Sequence, residues 1–71
     1  MELFTIKEVS LRLKINVSDT YKLIKAGHLK ALKLGSLKVT CFELERFIKG
    51  CTGKDYSDLN NVKELEFKSL T

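Results

Sequence analysis

Three side chains in this sequence are of the kind that hold metals or act as nucleophiles: His28, Cys41 and Cys51. One histidine and two cysteines ten residues apart match no zinc-ligand spacing. Cys41 falls near a helix start, where a thiol pKa is lowered in principle. The sequence sets no base beside it, so it reads as a packing residue. His28 follows Gly27 and reads as exposed and inert. There is no glycine-rich phosphate loop, no Ser/His/Asp set and no paired-carboxylate site. The residues therefore predict no enzyme, no metal and no cofactor. What remains is electrostatic chemistry. Thirteen Lys and Arg stand against nine Asp and Glu, for a net charge of +4 and a pI of about 9.2. That balance favours a polyanionic partner.

The charge is unevenly placed. Residues 1–50 carry ten Lys and Arg against five Asp and Glu, whereas residues 51–71 carry three lysines against four acids. The composition shifts at Gly50-Cys51-Thr52-Gly53. This divides a basic module, 1–50, from a near-neutral C-terminal tail, 51–71, expected to be partly ordered or to serve as an interaction segment. Seventy-one residues make one small domain. A chain of that size buries only about 60% of its unfolded surface and has little room for a deep catalytic cleft. Hydrophobic residues at 44% and charged residues at 31% suit a globular fold. No apolar run reaches the ~18–20 residues of a membrane span. Met1 is followed at once by Glu2, without a basic leader, and two cysteines are too few for a disulfide framework. The expectation is a cytoplasmic protein with reduced thiols and no membrane partner.

The elements that position the basic residues can be read in order. Thr5-Ile6-Lys7-Glu8 is a capping box, and Phe4 before it is placed to staple onto Val9. Val9 and Leu13 share a face, so a first helix spans about 5–13, with Leu11 outside its buried stripe. Asn16 is the next N-cap, and Asp19 sets a negative charge in the first turn. Thr20, Leu23 and Ile24 form an apolar stripe, and Gly27 supplies a left-handed C′ residue. The second helix spans about 17–26. Only Lys14 and Ile15 separate the first helix from the second and its cap, so the two helices meet sharply, as in a helix-turn-helix unit.

The period then changes from helical to alternating. Leu32, Leu34, Leu37 and Val39 flank Gly35-Ser36, the signal of a two-residue hairpin turn. That turn sets Leu34 opposite Leu37, Lys33 opposite Lys38 and Leu32 opposite Val39. One face is then wholly apolar, and the other bears two lysines directly across from each other. Such a like-charge pair is destabilising and makes sense beside an anion such as phosphate. Thr40-Cys41-Phe42-Glu43 is a third capping-box pattern. Leu44, Phe47 and Ile48 form the stripe of a helix of about 41–49, closed by Gly50. In the tail, Leu59, Val62 and Leu65 are spaced for a helix, while Glu64-Leu65-Glu66-Phe67 alternates like a strand. Helix, strand and disorder all remain open there.

The run from Phe4 to Ile48, about two thirds of the chain, resembles the excisionase-type, MerR-like winged helix-turn-helix family. Thr5 and Glu8 match the helix-opening Thr…Glu, and Val9 and Leu13 match the first-helix core. Tyr21, Leu23, Ile24, Gly27 and Leu29 match a Y-x-L-I-x-x-G-x-L run. Gly35 matches the wing turn, and Leu44 and Phe47 match the closing helix. Lys14 stands where glycine is usual, and Ser10 replaces a small alanine. The resemblance implies a mainly α fold with a small β-hairpin wing.

It also implies a binding mode for double-stranded DNA. The second helix enters the major groove, with Val17, Ser18, Tyr21, Lys22 and Lys25 as its exposed candidates. Val17 suits a thymine methyl, and Ser18 suits a base or a phosphate. Lys22 and Lys25 suit phosphate or guanine, and the Tyr21 hydroxyl suits a phosphate. A half-buried core role for Tyr21 stays open. Lys33, Ser36 and Lys38 place the wing on an adjacent backbone, and Arg12 and Lys14 flank the same surface. A few lysine–phosphate contacts give weak, salt-sensitive binding, so useful affinity calls for self-association on DNA or a larger complex. Excisionase-like proteins bend DNA near the ends of a mobile element and assist a separate integrase or recombinase. A small transcriptional regulator is the alternative from the same family. A protein-interaction module using exposed Leu11 and the tail is the alternative of another class.

Overall fold

The fold was obtained as a computed structural model that describes residues 2–65. In chain order the elements are β1 (Leu3–Thr5), α1 (Ile6–Leu13), α2 (Val17–Lys25), β2 (Leu32–Leu34), β3 (Ser36–Thr40), α3 (Cys41–Cys51), β4 (Lys54–Asp55) and β5 (Lys63–Glu64). The first three strands form an antiparallel sheet in the order β1-β3-β2, and β4 and β5 form a separate two-stranded ribbon. Three helices with a small antiparallel sheet make a helix-turn-helix domain with a β wing.

Local chemistry sets the helix starts. Thr5 Oγ1 accepts from the Glu8 N–H at 3.2 Å, and Glu8 Oε1 accepts from the Thr5 N–H at 2.9 Å, so the first capping box is complete. Asn16 Oδ1 accepts from the Asp19 N–H at 2.7 Å and opens α2. Both helices end in the same way. Ile15 N–H reaches Ser10 O and Lys14 N–H reaches Leu11 O; likewise His28 N–H reaches Leu23 O and Gly27 N–H reaches Ile24 O. These are Schellman closures around a left-handed residue. In α2 that residue is Gly27, with φ 87°. In α1 it is Lys14, with φ 59°, the only non-glycine at positive φ among the described residues. A side chain in that conformation costs about 1–2 kcal/mol.

The core gathers Phe4, Ile6, Val9, Leu23, Leu29, Val39, Leu44 and Phe47, with Leu13, Ile15 and Ile24 packed against it. Two polar side chains are buried within this frame, Ser10 and the fully enclosed Thr20. Ser10 Oγ donates to Ile6 O at 2.8 Å, and the Ser10 and Thr20 hydroxyls lie 2.7 Å apart. Thr20 Oγ1 also lies 3.3 Å from Asn16 O as a donor, so each hydroxyl has a backbone acceptor besides the other hydroxyl. The pair ties α1 to α2 across the sharp turn.

Five details depart from the sequence reading. Phe4 belongs to a strand, β1, paired with Val39 across to β3; three residues with one buried side chain carry too little alternation to announce a strand. The hairpin register is shifted by one. Gly35 alone is the apex, with φ 74°, so Leu34 faces Ser36, Lys33 faces Leu37 and Leu32 faces Lys38. Lys33 and Lys38 therefore lie on opposite faces, and the like-charge pair with its argument for an anion does not arise. The apolar face is also different: Leu37 and Val39 point inward with Phe4, while Leu34 is 61% exposed. The third capping box is half made. Thr40 Oγ1 accepts from the Glu43 N–H at 3.0 Å, but the Glu43 carboxylate is engaged elsewhere. Finally, Gly50 lies inside α3, which runs to Cys51, and Ile48 is exposed rather than part of the buried stripe.

The residues after α3 form the β4–β5 ribbon and the loop it encloses. Lys54 pairs with Glu64 and Asp55 with Lys63, with a 2.8 Å ion pair between the first two. Leu59 packs against the core as part of an irregular loop, not of a helix. The strand alternation expected through Glu66 and Phe67 lies partly outside the described residues.

Replacing either Ser10 by Ala or Thr20 by Val is expected to cost about 1 kcal/mol, the net worth of one buried hydrogen bond, because the hydroxyl that remains keeps its backbone acceptor. The double variant should lose less than the sum, with a coupling of about 1 kcal/mol. Urea denaturation of the four proteins measures this, and additive losses would show that the pair is not coupled.

Candidate nucleic-acid interface

The exposed surface of α2 is built by its capping and its stripe. Thr20 and Leu23 are buried and Ile24 is half-buried, so the helix is fixed by that side. Ser18, Lys22 and Lys25, at i, i+4 and i+7, then form the middle of the outward face. Val17 and Tyr21 run along one edge and are 41% and 48% exposed. Tyr21 is thus a surface aromatic and not a core one. Asp19 and Ala26 form the opposite edge, next to Lys22.

The wing residues sit on the sheet, which packs on α1 and α3. Lys33 is exposed. Lys38 is half-buried, and its ammonium donates to Ser36 Oγ at 2.6 Å and to Leu34 O at 3.4 Å. The structure thus brings Ser36 and Lys38 together and leaves Lys33 on the other face. Arg12 lies on the Phe4 ring, its guanidinium carbon 4.3 Å from the centroid. That contact holds the cation at the end of α1 while leaving its donors exposed. Lys14 is exposed at the left-handed closure. No hydrogen bond joins the wing group to the α2 group among the described residues; α1, packed against both elements, is what relates them.

The acids are distributed differently. Among the described residues the ion pairs are Arg46–Glu43, Lys49–Glu45 and Lys54–Glu64, all in α3 or beyond. Arg12, Lys14, Lys22, Lys25, Lys33 and Lys38 take part in none of them. Lacking an ion pair among the described residues, these cations remain available to an outside anion.

The sequence reading missed a clamp behind this surface. Arg46 donates to Glu43 through Nε at 2.8 Å and Nη2 at 2.6 Å, and Nη2 also donates to His28 O at 3.1 Å. Glu43 Oε2 accepts from the Lys30 N–H at 2.8 Å. The segment leaving α2 is thereby fastened to α3. The Arg46 hydrogen bond, foremost, holds the Glu43 carboxyl below its ordinary range, aided by the Lys30 amide and opposed by partial burial. The i, i+3 spacing of Glu43 and Arg46 was a visible signal for half of this clamp. His28 is not inert. Its Nε2 lies 2.6 Å from Leu59 O, and its ring meets Tyr56 edge-on at 5.3 Å. Tyr56 also meets Phe47 edge-on at 5.7 Å.

An exposed helix face with unpaired lysines, set at a sharp turn and accompanied by a β wing, defines a helix-turn-helix nucleic-acid-binding domain. Residues 3–52 match the family described as a helix-turn-helix domain, an excisionase-like group, and the chain belongs to it. Its helix-turn-helix is accordingly a DNA-binding module, in a family that is typically non-enzymatic. No curated protein and no solved structure matches the chain. Among the described residues no helix is long and apolar enough to cross a membrane.

The depressed Glu43 carboxyl contributes stability that is present above its unfolded value and lost as pH falls through the lower folded value. The Glu43→Gln protein should therefore show a lower Tm at neutral pH and a flatter fall of Tm on acidification. Thermal melts across the acid range check this; parallel curves for the two proteins would remove Glu43 from the acid transition.

Proposed function

We propose that the protein is a sequence-specific binder of double-stranded DNA that acts as an excisionase-like directionality factor. In this reading it bends DNA at a mobile element and assists that element's integrase. α2 lies in the major groove, with Val17, Ser18 and Tyr21 facing base edges or the near backbone, and Lys22 and Lys25 on phosphate. Ser36 and Lys38 set one face of the wing on the adjacent backbone, Lys33 reaches from the other face at the exposed edge strand, and Arg12 and Lys14 extend the positive surface. The observation that supports this most directly is the segregation of charge. The lysines of α2 and the wing lack acidic partners among the described residues, while the basic residues that have such partners lie in α3 and β4. The protein needs no cofactor for this and performs no catalysis. It works in the cytoplasm and binds cooperatively, as copies on repeated sites or within a recombinase complex. A promoter-bound transcriptional regulator would use the same surface and differ in where the sites lie.

The joint variant Lys22→Ala, Lys25→Ala should keep the fold and lose at least tenfold in DNA affinity. The slope of log K against log salt should fall by about 0.9 for each phosphate contact removed. Fluorescence anisotropy at several salt concentrations measures both. Sequencing genomic fragments retained by the wild-type protein separates the two roles. Enrichment of repeats at the ends of an element supports excision control, and enrichment at promoters supports the regulator. Unchanged affinity in the joint variant would contradict the assignment of α2 as the contact helix.

A further inference from the structure

The family match ends at residue 52, yet the ordered chain continues through the β4–β5 ribbon. The loop that the ribbon encloses returns to α2. It is anchored by Tyr56 against Phe47 and His28 and by Leu59 O against the His28 imidazole. Two adjoining clefts lie between this loop and α2. The inner one, of about 340 Å3, is lined by Ile15, Leu23, Tyr56 and Leu59, with Asp19 and Lys22 also on its wall. The outer one, of about 310 Å3, is lined by Lys22, Lys25, Ala26, Leu59 and Asn60. The outer cleft holds two lysines and an amide and no acid.

We propose that the loop is a second DNA-contacting element, and that Asn60 with Lys22 and Lys25 seats one backbone phosphate in the outer cleft. This rests on the reading of α2 as the contact helix. The placement follows from the edges of α2. Val17 and Tyr21 leave one edge open, whereas the loop walls the other, along Lys22 and Ala26. A duplex lying on the outward face would bring a phosphate strand against that wall. Two ammonium groups supply the charge, and the Asn60 amide, exposed and without a side-chain hydrogen bond among the described residues, supplies a directed donor. Asp19 faces the inner cleft and keeps anions out of it. The Asp58 carboxylate, accepting from the Asn60 N–H at 3.0 Å, shapes the turn that presents the amide.

The test compares two charge-matched variants of the full chain, Asn60→Asp and Asn61→Asp, with the wild type on one duplex. Both positions are exposed, so both proteins should fold as the wild type does. Both lower the net charge by one, but Asn61 lies outside the two clefts. Asn60→Asp should weaken binding about tenfold, and Asn61→Asp by less than threefold. Asn60→Lys should raise the salt slope by about 0.9, one further phosphate contact. Equal effects at 60 and 61, in a protein that binds DNA and responds to loss of Lys22 and Lys25, would overturn the loop contact and leave the α2 reading standing. A wild-type protein that binds no duplex at low salt would overturn both.

Discussion

The geometry of the helix-turn-helix depends on one buried contact, the hydrogen bond between Ser10 and Thr20. A hydroxyl enclosed away from water must find a partner or carry a penalty of about 1–3 kcal/mol. Here the two hydroxyls meet at the crossing of α1 and α2, with Ile6 O and Asn16 O as their backbone acceptors, and no buried side-chain polar atom is left unpartnered among the described residues. Two purely apolar surfaces could slide past each other at little cost, but a hydroxyl pair holds only at one register. Ser10 stands where the resemblance implies a small alanine, and its hydroxyl adds a directional bond at the crossing. The strained Lys14 has the same logic. Its left-handed backbone closes α1 within one residue and lets Ile15 turn into the core.

From that crossing the rest of the surface follows. With Thr20 and Leu23 held inward, helical geometry turns Ser18, Lys22 and Lys25 outward together. The Glu43–Arg46 clamp then fixes the segment after α2 through His28 and Lys30, and the ribbon closes over it from the other side. The core is small, so these polar fasteners are needed to define orientation that burial alone leaves loose. The cost is modest because the acids so used sit away from the basic face.

The helices were legible in the sequence because each carries a cap and a stripe, and Gly27 also marks the end of α2, whereas Gly50 lies inside α3 and does not stop it. Thr5 and Glu8, Asn16 and Asp19, and Gly27 encode boundaries by local bonds that need no tertiary context. The outward face of α2 was equally legible, since the buried stripe determines its complement. The hairpin register was not. A turn of one residue and a turn of two are both compatible with Gly35-Ser36, and the chain takes the shorter, with Leu34 facing Ser36. A three-residue strand has no period of its own to read. The fate of Glu43 was hidden for a related reason. It can cap its own helix or bond Lys30 and Arg46, and only the fold brings Lys30 within reach. His28 and Tyr56 are 28 residues apart in sequence and meet only when the ribbon docks. Which way a long side chain lies, as with Arg12 on Phe4 or Lys38 on Ser36, is likewise a tertiary outcome.

The central claim is that α2 and the wing present one DNA-facing surface, oriented by the contacts behind it. Amide chemical-shift mapping during titration with a short duplex tests it most directly. The account predicts perturbations concentrated in Val17–Lys25 and around Gly35–Lys38, with the Glu45 and Lys49 side of α3 unmoved. Perturbations centred on α3, or on Leu11 with α2 unaffected, would contradict it.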